Sequence, residues 1–256
     1  MRACCLLPSA YCPLYSLYLL WTIDYGLSTK AVSVRLVLLG SPGSGKGTLA
    51  HELENRLKIA HLSTGEIFRR EIGRGTALGR QVKRYVKTGL LVPDEVVVGV
   101  MTRQLTRERL RRGFVLDGFP RTVGQAQGLD EFLLRRQPLD GAFYLACSLP
   151  VLVERLGGRR VCSHCGANYH LRNKPPSRPG VCDHCGGRLI VRDDDHVQTI
   201  KKRLAVDRAQ AKPLLSYYER QALLHRLDGN GSSEAVYERA VQRCVRQGWL
   251  EQVTSD

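Results

Sequence analysis

Five apolar runs of strand length punctuate the chain, at 34–39, 59–62, 114–116, 142–147 and 223–227. Longer stretches with helical spacing of apolar positions separate them. Strands alternating with helices predict βαβ units, and so an α/β fold with a parallel sheet covered by helices on both faces. Such sheets bind ligands beyond the carboxyl ends of their strands. Three segments fall at such ends: the glycine-rich stretch after Leu39, His61-Leu62-Ser63-Thr64-Gly65, and Phe114-Val115-Leu116-Asp117-Gly118. Residues 94–112 predict one amphipathic helix. Its apolar face carries Val96, Val97, Val100, Met101 and Leu105, and its solvated face Arg103, Arg107, Arg111 and Arg112.

Two regions break the alternation. Residues 157–193 hold two cysteine pairs, several prolines and glycines and few core-type side chains, and read as an insert. Residues 1–33 are apolar and rich in Cys, Tyr and Leu, but Pro8 and Pro13 interrupt them and Arg2 is the sole early basic residue. Neither a signal peptide nor a membrane helix fits that pattern. The expectation is an N-terminal extension, disordered or lying upstream of a true start near Val34.

The segment Gly40-Ser41-Pro42-Gly43-Ser44-Gly45-Lys46-Gly47-Thr48 narrows the chemistry most. An apolar strand precedes it and a helix follows it, the context of a phosphate-binding P-loop. Glycines let several N–H groups point inward at phosphate oxygens, the helix N-terminus adds partial positive charge, and Lys46 adds a full one. The strict pattern G-x-x-x-x-G-K-[ST] holds as far as Lys46. Gly47 then stands where a hydroxyl is expected, and Thr48 comes one place late.

Asp117 ends an apolar strand downstream of that loop. A carboxylate there can hold Mg²⁺ through water, or it can cap a turn, which Asp-Gly also suits. Arg69, Arg121, Arg155, Arg159, Arg192 and Arg203 offer planar guanidinium groups to a phosphoryl group in transfer. Spacing alone does not say which of them act. Cys162-x-x-Cys165 and Cys182-x-x-Cys185 have the spacing of a four-thiolate structural zinc site, each pair followed by glycine. Two disulfides or a redox pair are the alternatives. His164 and His184 lie inside the pairs and are expected to point away from the metal.

Composition adds less. The chain has 256 residues, is 43% hydrophobic and carries a net charge of +15. Length and hydrophobicity suit one large domain with inserts. The charge favours anionic partners, but no aromatic RNA-binding signature accompanies it. Nine cysteines, an odd number in a chain this long, argue against a secreted disulfide framework. Cys147 and Cys244 read as buried thiols.

Together these segments resemble adenylate kinase, in the bacterial form with a long zinc-bearing lid. The likeness runs from about Val34 to about Arg246. It rests on the P-loop with glycine after lysine, on L-S-T-G-E-I-F-R at Leu62–Arg69, and on L-V-P-D at Leu91–Asp94. It rests also on G-F-V-L-D-G-F-P-R-T at Gly113–Thr122, G-R-R-V-C opening the lid, R-D-D-D at Arg192–Asp195, and Arg203-Leu204. The resemblance implies a P-loop nucleoside monophosphate kinase fold spanning 34–256, with an AMP-binding segment at 63–93 and a zinc lid at 157–193 inserted.

It also implies residue roles. Gly43, Ser44, Gly45, Lys46, Gly47 and Thr48 would hold the ATP phosphates, with Arg159, Asn168 and Tyr169 reaching from the lid and Gly231 near the base. Thr64, Arg69, Arg121 and Gln125 would hold AMP, with backbone from Leu90, Leu91 and Val92 and from Gly118, Phe119, Pro120 and Arg121. Arg155, Arg192 and Arg203 would line the transfer path, the last two also touching AMP. Asp117 would position Mg²⁺, and Zn²⁺ would be structural. The implied activity is transfer between ATP and AMP giving ADP, in a cytoplasmic monomer with no nucleic-acid or membrane partner. A UMP or CMP kinase and a zinc-ribbon RNA-binding protein are the rival readings. Three positions depart from the family pattern: Glu66 for Asp, Leu49 for Gln and Gly124 for Pro.

Overall fold

The structure is a computed structural model that describes residues 33–106, 112–134, 136–192, 195 and 197–250. The expectation for the N-terminal extension therefore falls outside the described residues, apart from Ser33. In chain order the first elements are β1 (Val34–Leu39), α1 (Lys46–Leu57), β2 (Ala60–Ser63), α2 (Thr64–Gly73), α3 (Ala77–Thr88) and α4 (Asp94–Leu105). Then come β3 (Gly113–Asp117), α5 (Val123–Leu134), β4 (Gly141–Ala146) and α6 (Leu149–Gly158). Three short strands follow, β5 (Arg159–Cys162), β6 (Asn168–His170) and β7 (Leu189–Ile190), and then α7 (Val197–Arg220), β8 (Leu224–Asp228) and α8 (Ser233–Arg246).

Five strands pair in the order β2-β3-β1-β4-β8, all parallel. They are the five apolar runs of the sequence, with ends displaced by a residue or so. β1 lies in the middle, and Val34, Leu36, Val37 and Leu38 are at most 1% exposed. Burial on both faces explains why this strand reads as an apolar run interrupted by Arg35 alone rather than as an alternating one. The larger core packs Val37 and Leu39 against Phe68, Met101, Phe119, Leu129 and Tyr218, which joins α2, α4, α5 and α7 to the sheet.

The expected helix over 94–112 is α4, and it ends at Leu105. Val97, Met101 and Leu105 are buried, while Val96 and Val100 are partly so. Arg107 and Arg111 lie outside the described residues. Short polar side chains set other helix starts: Ser63 Oγ accepts the Glu66 N–H at α2, and Thr76 Oγ1 accepts the Gly79 N–H at α3. Among the described residues no helix is long and apolar enough to cross a membrane.

β5, β6 and β7 form a separate antiparallel sheet in the order β6-β5-β7. Its core is four buried residues, Cys162, Tyr169, Cys182 and Leu189. So small an apolar cluster cannot by itself offset the ordering of the chain around it.

Candidate active site

The P-loop leaves the carboxyl end of β1. Gly43 and Gly45 hold φ of +87° and +98°, a region that side chains with a Cβ rarely adopt. Gly45 is also the N-cap of α1, so the loop turns straight into a helix N-terminus. Lys46 Nζ donates to the carbonyl of Gly40 and, at 3.0 Å, to that of Ser41. Burial pulls the Lys46 pKa down, while Asp117 and Asp207 oppose the shift. Ser41 Oγ donates to Asp207 Oδ2 at 2.7 Å, which ties the loop to α7. Ser44 Oγ is buried with no hydrogen-bond partner.

Asp117 ends β3, and the pairing of β1 with β3 sets it beside Leu38, two residues before the loop. Ser63 Oγ donates to its Oδ2 at 3.4 Å. Its side chain is 16% exposed, enough for a carboxylate to share a hydrated cation. α1 meets it through Gly47, which brings backbone close to the carboxylate.

At the end of β2, Thr64 Oγ1 donates to the carbonyl of Gly118 at 2.8 Å, and Arg121 Nε donates to the same carbonyl at 3.0 Å. The Arg69 guanidinium lies over Gly65. Gln125 is 2% exposed, and its amide is used on both sides. Oε1 accepts the Arg121 N–H at 2.8 Å and Nε2 donates to Asp94 Oδ1 at 2.8 Å. Asp94 Oδ2 accepts from Thr122 Oγ1 at 2.7 Å. An acceptor-only carboxylate thereby fixes which end of the amide is which. Phe119 is fully buried, so that residue offers the cleft its backbone alone, and its bond to Pro120 is cis. Leu90 is half exposed and Val92 buried. Gly89, just before them, packs on the Arg203 stem.

Arg121 keeps an exposed surface, yet burial of its guanidinium and the nearby charge of Arg203 lower its pKa, with Asp117 and Asp207 opposing. Lys46, Asp117, Arg121, Arg203 and Asp207 thus share one electrostatic field, with Arg69 at its edge. Arg159 and Arg203 converge on the buried Asp195. Arg159 donates to both carboxylate oxygens, Nε to Oδ2 at 2.5 Å, and Arg203 Nη1 donates to Oδ1 at 3.0 Å. Arg192 Nη2 donates to Asn168 Oδ1 at 2.8 Å. Arg155 sits apart from these, on the P-loop's other side. It donates to the carbonyls of Gly229 and Gly231 at 2.9 Å and of Ser44 at 3.3 Å.

The four cysteines of the two pairs are free thiols whose sulfurs lie within 4.8 Å of one another. Cys162 Sγ is 3.5 Å from Cys185 Sγ, and Cys165 Sγ is 3.5 Å from Cys182 Sγ. That is far beyond a disulfide bond and close to the ~3.8 Å edge of a tetrahedral Zn–S₄ site. Backbone N–H groups of His164 and Cys165 point at Cys162 Sγ, as a thiolate requires. Neither His164 nor His184 belongs to the cluster. The Tyr169 side chain is 4% exposed beneath it, its hydroxyl 3.4 Å from Cys182 Sγ. Contact between Tyr169 and a nucleotide would therefore run through its backbone.

Comparison with known proteins gives the assembly a family. Residues 38–223 match the family model described as adenylate kinase. The chain belongs to the adenylate kinase family. A Moorella thermoacetica protein named adenylate kinase is 49% identical over 217 residues, covering 84% of this chain and all of that one. One from a Geobacillus species is 44% identical over 205 residues (80% and 95% of the two chains), and one from Caldicellulosiruptor bescii 46% over 192 residues (75% and 89%). As an adenylate kinase the protein is a phosphotransferase on the P-loop nucleoside monophosphate kinase fold.

Within that family frame the three departures have local accounts. Leu49 is 2% exposed and belongs to the core. Gly124 passes close to Asp94, where a Cβ would stand 2.8 Å from Oδ2. Glu66 faces His51, its Oε1 3.7 Å from Nε2. Asp94, Asp195 and Asp207 escaped the sequence reading as site residues. Their roles depend on partners 31, 36 and 166 positions away. Asp94 and Asp195 close the L-V-P-D and R-D-D-D motifs, but those motifs do not name their partners, and Asp207 lies in none. Cys244 is buried as expected, whereas Cys147 is half-buried beside Ser44 and Arg155.

Proposed function

We propose that this adenylate kinase transfers the γ-phosphoryl group of Mg·ATP to AMP, giving two ADP, across the cleft between the P-loop and the Thr64–Arg121–Gln125 face. An AMP phosphate oxygen attacks the γ-phosphorus in line, the bond to the β,γ-bridging oxygen breaks, and the leaving ADP takes its electron pair. No covalent enzyme intermediate is needed. Positioning and charge neutralisation carry the catalysis.

Lys46 and the loop N–H groups from Gly43 to Thr48 hold the ATP phosphates. Arg121 and Arg203 face the transferred group, with Arg159 and Arg192 reaching it from the lid side. Arg155 acts on the ATP side, by holding the Gly229–Gly231 turn against the P-loop. Asp117 would hold Mg²⁺ through water, and the ion would supply neutralisation of the phosphate charge. The carboxylate fits that role because it borders the loop, stays partly exposed and lies in the field of Lys46 and Arg121. The four-thiolate cluster fits zinc, which would brace the 157–193 lid so that closure excludes water.

The observation that carries AMP as acceptor is the pinned amide of Gln125. One N–H and one lone pair remain for a base, in an order set by Asp94. That order suits an edge with an amino group beside an unprotonated ring nitrogen, as in adenine or cytosine, rather than the keto group beside N–H of guanine or uracil, and membership of the adenylate kinase family favours adenine of the two. A coupled assay with ATP and AMP, GMP, UMP or CMP tests the proposal. Turnover with AMP at least about a hundredfold above that with UMP, GMP or CMP is expected. Folded protein that prefers another monophosphate would refute it. Salt-sensitive RNA binding without phosphoryl transfer would favour the ribbon reading instead.

A further inference from the structure

We propose that His51, Glu54 and His61 form a second metal site, for a borderline divalent ion of the zinc class, distinct from both the four-cysteine cluster and the Mg²⁺ position. His51 and Glu54 lie one turn apart on α1, and His61 lies on β2, the next element of the chain. One ligand atom from each lies within 4.8 Å of the other two. Glu54 Oε2 is 3.5 Å from His51 Nδ1 and 3.9 Å from His61 Nδ1. Ligands about 2.0–2.1 Å from a tetrahedral zinc stand ~3.3 Å apart, so modest side-chain rotation closes the set. The two imidazoles meet edge to face, with centroids 4.7 Å apart and planes at 85°. Neither stacks over the other, and both Nδ1 atoms face the same carboxylate.

The opposite nitrogens have equally specific surroundings. His51 Nε2 is 3.7 Å from Glu66 Oε1, and His61 Nε2 is 4.0 Å from Asp117 Oδ2. A metal-bound imidazole whose other N–H faces a carboxylate is the usual outer arrangement of a histidine metal site, and here a carboxylate lies within 4.0 Å of the opposite nitrogen of each imidazole, close enough for a small shift to complete it. The His61 side chain is 2% exposed and its Nε2 has no hydrogen-bond partner. Metal at Nδ1 would fix the proton on Nε2 and direct it to Asp117. Two nitrogens and one oxygen select zinc, cobalt or nickel over Mg²⁺, which prefers oxygen ligands and its own water. His51 and Glu54 are each more than two-fifths exposed, so an ion can enter from solvent and keep a water in the fourth position.

This placement connects the site to catalysis through one imidazole. With zinc bound, His61 would donate to the carboxylate that the proposed mechanism uses for Mg²⁺, so zinc is an inhibitor. That consequence rests on the Asp117 reading, whereas the binding does not.

The test compares full-length wild type with His51→Gln and Glu54→Gln, both substitutions on the open face of α1, after dialysis against buffered free Zn²⁺. Wild type should hold one more zinc per chain than either variant, whatever the cysteine cluster holds. Either variant should weaken that extra equivalent by more than about tenfold, the scale at which even outer-shell partners act. Imidazole ¹⁵N spectra should show zinc shifting Nδ1 of His51 and His61. Equal zinc content in wild type and both variants, or unshifted His51 and His61 resonances at saturation, overturns the site. Zinc should slow wild-type turnover and leave His51→Gln at its zinc-free rate. Binding without that difference overturns the link to Asp117 and leaves the site standing.

Discussion

Gly47 and Asp117 approach so closely that a Cβ on Gly47 would stand 3.3 Å from Asp117 Oδ2. The glycine after the P-loop lysine, which the strict motif does not predict, is thus the residue that admits the carboxylate to the loop. Gly47 lies inside α1 with ordinary helical backbone, so alanine there suits the helix better, by about 0.5–1 kcal/mol. Gly47→Ala should therefore raise Tm slightly. It should also lower kcat about tenfold by displacing Asp117 a few tenths of an ångström, with the KM for AMP unchanged. Melting curves alongside Mg²⁺-dependent kinetics separate the two effects. Unchanged kcat would remove Asp117 from the metal role.

Asp195 is fully buried at its side chain between Arg159 and Arg203. Asparagine keeps the shape and loses the charge. Two mostly buried guanidinium groups would then lose the carboxylate they share, at a cost of about 3 kcal/mol. Denaturant midpoints should record that loss for Asp195→Asn. A value within about 0.5 kcal/mol of wild type would mean that the carboxylate contributes no more than a surface pair.

Asp94 fixes the Gln125 amide. Asp94→Asn permits the amide to turn over, because asparagine can donate as well as accept. The expected result is a KM for AMP raised about tenfold, the value of one net hydrogen bond, with kcat little changed. GMP should become a measurably better acceptor than it is for wild type. A proportional fall in kcat for every monophosphate would point to general damage instead.

The four-cysteine sheet should be the first part to melt when zinc is removed. Calorimetry with a strong chelator should resolve an early transition for the lid, while the main sheet unfolds at its usual temperature. Limited proteolysis within 163–186 should report the same event. A zinc-free protein with an unaltered melting profile would eliminate the structural role.

The His51–Glu66 contact gives a pH signature. The neighbouring His51 imidazole, 3.7 Å away, holds Glu66 down at about 2, below its ordinary 4.5. Its contribution is complete above 4.5 and is lost as pH falls toward 2. Glu66, helped by Glu54 and opposed by burial, raises the pKa of His51. That contribution is complete below 6.5 and fades as pH rises through the raised value. Both side chains are over two-fifths exposed, so Glu66→Gln should cost no more than about 1 kcal/mol at pH 5.5. The loss should shrink at pH 2 and above pH 8. A pH-independent difference would show that packing, not charge, is responsible.

Much of this protein was legible along the chain. Mostly apolar runs bounded by turns located all five strands of the main sheet, because strands at the centre of a parallel sheet are buried on both faces, while the edge strands β2 and β8 tolerate His61, His225 and Arg226. The P-loop and each Cys-x-x-Cys pair were legible for another reason: each is marked by residue types spaced within a few positions of one another. What only the tertiary structure decided were relationships across the sheet and between inserts. The strand order sets Asp117 against Gly47. Pairing at long range makes Asp195 the common partner of two arginines and Asp94 the anchor of Gln125. The antiparallel sheet buries Tyr169 beneath the cysteines, and β2 returns beside α1 to set His61 against His51. None of these has a local signature, because hydrogen bonds and ion pairs depend on distance in space, and separation along the chain does not encode it.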